Sequence, residues 1–528
     1  MKKQPNILFI MADELAPQVL PVHGHRVVKA PHLMALAQSG VVFDAAYTNS
    51  PLCAPSRASM LTGRLVPQIG AWDNGSEMSS ELPTIAHYLR AQGYTTALSG
   101  KMHFIGADQL HGYEKRLTTD IYPADFSWTS NWSRPATAPN IAGLSMRPVL
   151  EAGPCVRNMQ IEYDEEVQFA ARQYLYDHAR QGAAAKPFFL TVSFTQPHPP
   201  FVAQQEHWDR YSDEAIDLPQ VPELPPERLD PQALALYYNH RRNLMPVTRK
   251  DLIAARRAYY GMVSWVDDRV GELIATLRAT GMEGDTLVVF TSDHGEMLGE
   301  RGMWLKMCMY EWSVRVPLIV AWPGTLQSRR VGANVSLVDL LPTLMDIGRP
   351  QGGEPRQSVD ALDGHSLRIL LQEGVDPTWS DVAISDFGAG PMPSPLRMVK
   401  RGNWKFVHIA GHEPMLFDLA SDPLELNDCA ADPACAEVRA ELSALAFANY
   451  DPEAIDTAVR LSQQRRILIR SVNDTTPIRA DWNWHVREDD DRRYVRGYGM
   501  RDGEHSTKAR ARFPYVEAAD DHSGDTTK

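Results

Sequence analysis

Through most of the chain, short apolar runs alternate with longer amphipathic ones. Residues 6–11, 95–99, 188–194, 286–291 and 318–321 form short β-rich runs with no regular apolar–polar alternation. Such runs predict parallel strands covered on both faces, because a strand with one wet face alternates apolar and polar positions. Residues 249–280 instead repeat apolar side chains at helical spacing. Leu252, Tyr259, Val263, Val266, Val270, Leu273 and Leu277 fall on one broad stripe, with Thr248 as the expected cap. These elements predict an α/β sandwich around a central, mostly parallel sheet.

Near residue 390 the pattern changes. Residues 388–395 are a Gly- and Pro-rich connector. Beyond it 397–399, 404–409 and 415–418 read as short antiparallel strands, and 436–450 as a helix after the turn Asp422-Pro423-Leu424-Glu425. The expected organisation is an α/β domain over 1–390, a smaller α+β domain with a short antiparallel sheet over 391–475, and an extended tail over 476–528. The tail is aromatic and charged (Trp482, Trp484, Tyr494, Tyr498) with little periodicity. It is expected to pack on the body or on a neighbouring subunit, and to be disordered beyond Pro514.

Composition narrows the class of partner. The chain has 528 residues, of which 44% are apolar, enough for more than one core. A net charge of -13 leaves no broad basic surface for a nucleic-acid backbone. Five cysteines, at 53, 155, 308, 429 and 435, make no disulfide framework, and their odd number suits a reducing compartment. The apolar run behind Met1-Lys2-Lys3 stops at Asp13, too short for a secretory leader. No stretch approaches the roughly 20 apolar residues of a membrane helix. A cytoplasmic protein with no membrane partner is expected.

Several reactive side chains fall just after predicted strands. Asp13 ends the first and Asp293-His294 ends the fourth, so three ligand groups distant in sequence are expected to converge as a divalent-metal site. An Asp-His pair at a strand end also serves as a plain cap. Lys101 and His103 follow the second run, His198 the third, and Lys306 lies a short loop beyond His294. Together with Arg57 these give three permanent cations and two histidines for stabilising and protonating an anionic transition state.

Cys53 stands in Cys53-Ala54-Pro55-Ser56-Arg57, with Leu61-Thr62-Gly63-Arg64 downstream. This run resembles the signature of type I sulfatases; the alternative is a buried or redox cysteine beside a turn. Further stretches resemble bacterial choline-sulfatases: Met11-Ala12-Asp13, SGKMHF (99–104), DQLHGY (108–113), LTTDIYPADF (117–126) and ARARFP (509–514). The resemblance implies the alkaline phosphatase superfamily fold, a smaller C-terminal domain and an oligomer, dimer or tetramer. It implies that a formylglycine-generating maturation enzyme oxidises Cys53 to formylglycine, whose hydrate attacks sulfur and then expels sulfate. It implies a divalent metal ion, calcium first, with manganese, magnesium or zinc also compatible. By the same resemblance Cys53 is the nucleophile; Asp13, Asp293 and His294 hold the metal with residue 53; Arg57, Lys101 and Lys306 clamp sulfate; His103 is the base; and His198 protonates the leaving group.

The chain departs from its relatives in places. Glu14 follows Asp13 where they tend to carry Asp or Gln, so it either joins the metal ligands or turns away. Asp386 falls where choline-sulfatases carry a glutamate facing a quaternary ammonium, and residues 497–508 do not match. Asn74, Trp128 and Asp386 are the expected substrate-binding residues. Tyr122, Phe126, Trp128 and Trp132 cluster in one loop region, either as aromatic faces for a cation or as packing of that loop onto the sheet. The expected activity is hydrolysis of a small alkyl sulfate ester of the choline-sulfate kind. The alternatives are phosphonate monoester or phosphodiester hydrolysis and a catalytically inactive binding homologue.

Overall fold

A computed structural model describes residues 4–136, 145–350, 357–476, 481–490, 494–495 and 512–514. The strands of its central sheet are β1 (Asn6–Asp13), β2 (Val41–Tyr47), β3 (Thr95–Gly100), β4 (Lys115–Arg116), β5 (Phe188–Pro197), β6 (Thr286–Ser292), β7 (Arg315–Ala321) and β8 (Arg329–Ser336). They lie in the order β8-β2-β7-β6-β1-β5-β3-β4. β1 runs parallel to β5 on one side and β6 on the other. Its Leu8, Ile10 and Ala12 enter one core, and Ile7, Phe9 and Met11 the other. Both faces are buried, so the strand carries an uninterrupted apolar run.

Helices close both faces. They are α1 (Cys53–Thr62), α2 (Ile85–Ala91), α3 (Met159–Arg180), α4 (Arg249–Ala279) and α5 (Leu340–Ile347). α3 and α4 cover the first core; α1, α2 and α5 cover the second. α4 starts at the expected cap, where the Thr248 Oγ1 accepts from the Asp251 amide at 3.3 Å and the Asp251 carboxylate accepts from the Thr248 amide at 2.9 Å. Its expected stripe is buried from Tyr259 to Leu277, with Leu252 half-buried.

Two expectations change here. The run 318–321 belongs to β7, which is antiparallel to both β6 and β2. A strand buried on both faces shows the same apolar run whichever way it points, so its direction was not readable. β2 and β8 were not among the expected strands: Asp44 breaks the apolar run of β2. β8 opens with Arg329 and Arg330 at the sheet edge, where one side needs no burial.

A second sheet holds β9 (Val382–Phe387), β10 (Leu396–Arg401), β11 (Trp404–Ile409) and β12 (Met415–Asp418), antiparallel and in sequence order. The connector 388–395 joins β9 to β10. α6 (Ala436–Phe447) supplies Leu442 and Ala446 to a core with Val399, Phe406 and Leu416. α7 (Pro452–Thr475) returns toward the first sheet, where Val459 packs with Val66, Trp72 and Trp132. The described part of the tail lies on the body: Trp482 meets Phe126 edge-on at 5.2 Å, and Asn483 accepts from the Ala124 amide at 2.8 Å. Tyr498 and everything beyond Pro514 lie outside the described residues. Among the described residues no helix is long and apolar enough to cross a membrane.

Asp386, expected at the substrate, sits opposite Arg397 in the β9–β10 register. Its two oxygens accept from Nε and Nη2 of that guanidinium at 2.6 and 2.8 Å, and both side chains are buried. Removing one partner of a buried pair leaves the other charge uncompensated, at about 3–5 kcal/mol. Asp386→Asn should therefore lower the free energy of unfolding in urea by an amount of that order, and the unfolding midpoint with it. An unchanged midpoint would mean that Arg397 does not depend on this carboxylate.

Candidate active site

β1, β3, β5 and β6 are parallel and release their chains at one edge of the sheet, where open α/β folds bind ligands. β1 ends on Asp13, β3 leads into Lys101 and His103, β5 into His198, and β6 into Asp293 and His294. α1 follows β2 and begins at Cys53 itself. Leu52 precedes it without a capping side chain. The orphan amide of Ala54 donates instead to the Asn74 Oδ1 at 3.0 Å, so Asn74 caps the turn that carries residue 53. The amide ends of that turn add positive potential around residue 53.

Ligand atoms of Asp13, Cys53, Asp293 and His294 lie within 4.8 Å of one another, and all four residues are buried. Cys53 Sγ is 3.2 Å from His294 Nε2 and 3.7 Å from Asp13 Oδ1. His294 Nδ1 donates to the Gly295 carbonyl at 3.0 Å, which leaves the lone pair of Nε2 facing the cluster. Asp293 Oδ1 accepts from the Glu14 amide at 3.0 Å, and Oδ2 from Arg57 Nε at 2.8 Å. Arg57 Nη1 is spent on the Lys101 carbonyl and the Ser193 hydroxyl. Its Nη2 has no hydrogen-bond partner among the described residues and lies 3.9 Å from Asp13 Oδ1.

Two lysines close the group. Lys101 Nζ pairs with Asp13 Oδ2, and Lys306 Nζ with Glu14 Oε2. Glu14 sits in the left-handed region at φ 66, which turns its carboxylate toward Lys306 and toward His198, whose Nε2 is 3.3 Å away. His198 Nδ1 donates to the Pro199 carbonyl at 2.6 Å, and its Nε2 meets the Tyr122 hydroxyl at 3.1 Å. His103 is also left-handed, at φ 60; its amide and that of Met102 both donate to Asp120 Oδ2, at 2.8 and 2.9 Å. The His103 ring stacks on Tyr122 at 4.4 Å and meets Trp128 edge-on at 5.7 Å. Neither of its buried nitrogens has a partner among the described residues.

Charge states follow from burial set against neighbours. Burial pushes the Cys53 thiol up to about 12, with Lys101 pulling the other way. Burial also works against the Lys101 and Lys306 ammonium groups, yet Asp13 and Glu14 hold each above its usual range. Asp293, although buried, is kept well below the usual carboxylate range, chiefly by the Arg57 guanidinium. Burial, with Glu296 nearby, pushes Glu14 up against the pull of Lys306. Burial holds both His103 and His294 below the ordinary histidine value, so they are neutral imidazoles at pH 7.

This donor set fits a divalent cation. Asp13 and Asp293 offer hard oxygens and His294 a lone pair already aimed inward. Glu14 lies outside that four-residue group, although its Oε1 is buried and has no hydrogen-bond partner among the described residues. Of the expected residues, Cys53, Arg57, Lys101, His103, His198, Lys306, Asp13, Glu14, Asp293 and His294 come together. Asn74 acts as a helix cap, Trp128 stands at the aromatic side, and Asp386 is engaged by Arg397. Sequence reasoning missed Asp120 and Ser193, which hold backbone and guanidinium in place and carry no spacing signal. It also named Tyr122 only as one aromatic among four, whereas its ring lies under Lys101 at 4.3 Å and touches both histidines.

Comparison with known proteins gives a consistent set of likenesses. The sulfatase family model matches residues 5–348, and that of the N-sulphoglucosamine sulphohydrolase C-terminal region matches residues 299–448. The chain is 42% identical to choline-sulfatase of Rhizobium meliloti (strain 1021) over 471 residues, covering 88% of this chain and 91% of the relative. It is 29% identical to arylsulfatase K of Bos taurus over 456 residues, covering 81% and 78%. Phosphonate monoester hydrolase of Agrobacterium radiobacter superposes with a TM-score of 0.68 at 26% identity, covering 84% of this chain and 95% of that one.

The environment of Cys53 makes a direct prediction for any chain that retains the thiol. With burial pushing its ionisation up to about 12, little reactive thiolate is present at pH 8. Native protein treated with iodoacetamide at pH 8 should leave residue 53 unlabelled, while urea-unfolded protein labels it fully. Prompt native labelling, read by peptide mass, would contradict this electrostatic picture.

Proposed function

As the chain belongs to the sulfatase family, we propose that it hydrolyses a small alkyl sulfate ester of the choline-sulfate kind to the alcohol and inorganic sulfate. The observation that carries this reading is the convergence of residue 53 with Asp13, Asp293 and His294 beside three buried cations. The 42% identity to a choline-sulfatase supports the substrate class. Formylglycine formed from Cys53 by a maturation enzyme supplies, as its hydrate, one hydroxyl to attack sulfur and a second whose deprotonation expels sulfate. A divalent cation, calcium first and magnesium, manganese or zinc next, supplies positive charge to the sulfate oxygens and lowers the pKa of the attacking hydroxyl.

The chain's own groups then divide the work. Arg57 Nη2, Lys101 and Lys306 face the cluster and offer donors to the sulfate oxygens. His198 Nε2 carries the proton for the departing alkoxide, with its ring fixed through Nδ1 on the Pro199 carbonyl. His103, neutral and with both nitrogens free of protein partners among the described residues, accepts a proton from the hydrated residue 53. The Tyr122 ring is occupied by His103 and Lys101, while Trp128 offers its aromatic faces to a quaternary ammonium. With Asp386 committed to Arg397, those faces carry cation recognition in place of a carboxylate at that position. Asn74 holds the first turn of α1. Similarity to the phosphonate monoester hydrolase favours a second reading, and relative rates on an aryl sulfate and an aryl phosphonate decide between them.

Two experiments test the proposal. The enzyme should turn over choline sulfate better than its neutral tert-butyl isostere, and Trp128→Leu should narrow that preference by about 0.5 to 2 kcal/mol, the range of a cation–π contact. Equal rates on the two esters in the unmutated enzyme would remove the cation pocket and leave the sulfatase reading. For the leaving group, general acid catalysis contributes about 10²- to 10⁴-fold. His198→Ala should lose that factor on an alkyl sulfate and far less on nitrophenyl sulfate, whose phenolate leaves without help. Equal losses on both esters would make His198 a sulfate-binding group.

A further inference from the structure

α7 stands far along the chain from every residue assigned above, yet one polar stripe of it grips the wall of the site. Arg460, Gln463, Arg466 and Arg470 recur at spacings of three and four on a single helix face. Arg460 Nη1 donates to the Trp132 carbonyl at 2.8 Å, and Gln463 Oε1 accepts from the Trp132 amide at 2.8 Å. Arg470 Nη1 donates to the Ser127 carbonyl at 2.9 Å. All three therefore hold the backbone of the loop that carries Trp128.

Arg466 reaches furthest in. It is 5% exposed and donates to both oxygens of Asp73, at 2.5 and 3.2 Å, and to Thr129 Oγ1 at 3.1 Å. Asp73 in turn accepts from the Gly75 amide at 2.9 Å within its own loop and from the Ser130 amide at 3.1 Å in the other. Asn74, between those loop positions, caps the α1 turn at Ala54. The two loops touch backbone to backbone: a Cβ added to Gly75 would stand 2.6 Å from the Thr129 nitrogen.

We propose that Arg466, acting through Asp73, clamps the Asn74 loop against the Trp128 loop and is thereby a positioning residue for both residue 53 and the alcohol side of the pocket. The proposal rests on the sulfatase reading. Arg466 touches no reacting atom. Its planar guanidinium can bridge a carboxylate and a hydroxyl at once, which a lysine ammonium on a flexible stem does less well. Misplacing catalytic groups by about 1 Å costs on the order of 10²-fold in rate.

The test uses the full-length enzyme and three variants, Arg466→Gln, Arg466→Lys and Gly75→Ala. Hydrogen exchange by mass spectrometry follows residues 72–76 and 127–132, with β1 as the internal reference. Steady-state kinetics on choline sulfate and nitrophenyl sulfate, and the thermal midpoint, are read in parallel. Arg466→Gln should speed exchange in both loops at least tenfold while β1 is unchanged. It should raise KM for choline sulfate more than for nitrophenyl sulfate, and lower kcat on both. Arg466→Lys should recover only part of this. Gly75→Ala should reproduce both effects with the ion pair intact, and it keeps the proposal testable if Arg466→Gln fails to fold. A lowered thermal midpoint with kinetics within twofold of wild type and unchanged loop exchange would overturn the proposal, as would a kinetically normal Gly75→Ala. If the unmutated enzyme hydrolyses neither ester, the sulfatase reading fails, and loop exchange alone decides whether Arg466 holds the two walls together.

Discussion

Bringing Asp13, Glu14 and Asp293 out of water beside Arg57, Lys101 and Lys306 is the constraint on which everything else in this molecule depends. Each buried ion carries a desolvation penalty of several kcal/mol, offset only when its partner and its remaining hydrogen bonds are well aimed. The sheet meets that demand by releasing β1, β3 and β6 at one edge, so that Asp13, Lys101 and Asp293 arrive from rigid elements. The Glu14 amide on Asp293, and the Ser193 hydroxyl and Lys101 carbonyl on Arg57, fill most of the remaining valences. Arg57 Nη2, Glu14 Oε1 and both nitrogens of His103 have no hydrogen-bond partner among the described residues, and on the proposed reading they border the space where an anionic ester and a cation belong.

Much of this was legible because strand ends are legible. A continuous apolar run followed by Asp, Lys or His states both the burial of the strand and the place of the reactive group, as with 6–11 before Asp13 and 286–291 before Asp293. The hidden parts are those whose partners come from across a register or from a distant helix. Asp386 looks like any acid after a short β-rich stretch, and only the antiparallel pairing of β9 with β10 reveals that Arg397 occupies it. Asn74 belongs to no motif, because capping a helix from another loop depends on tertiary approach. The direction of β7 was unreadable, since hydrophobic period is blind to strand polarity.

The late part of the chain is an architectural component of the site. α7 holds the aromatic loop by its backbone, and Asn483 and Trp482 hold the stretch just before it. On the proposed reading, the strand ends of the sheet supply charge and nucleophile, and elements beyond residue 450 shape the side that meets the alcohol. The two sides are coupled through Tyr122, whose ring lies under Lys101 and stacks on His103.

The central claim is that residue 53 attacks sulfur and that its second hydroxyl releases the sulfate. Cys53→Ser isolates the two steps, because serine has one hydroxyl and cannot expel what it has accepted. Mixed with an activated aryl sulfate, this variant should release one equivalent of phenol per site and stop. Its peptide containing residue 53 should then be heavier by about 80 Da, one bound SO₃ group. Continued turnover without any mass gain at residue 53 would contradict the account.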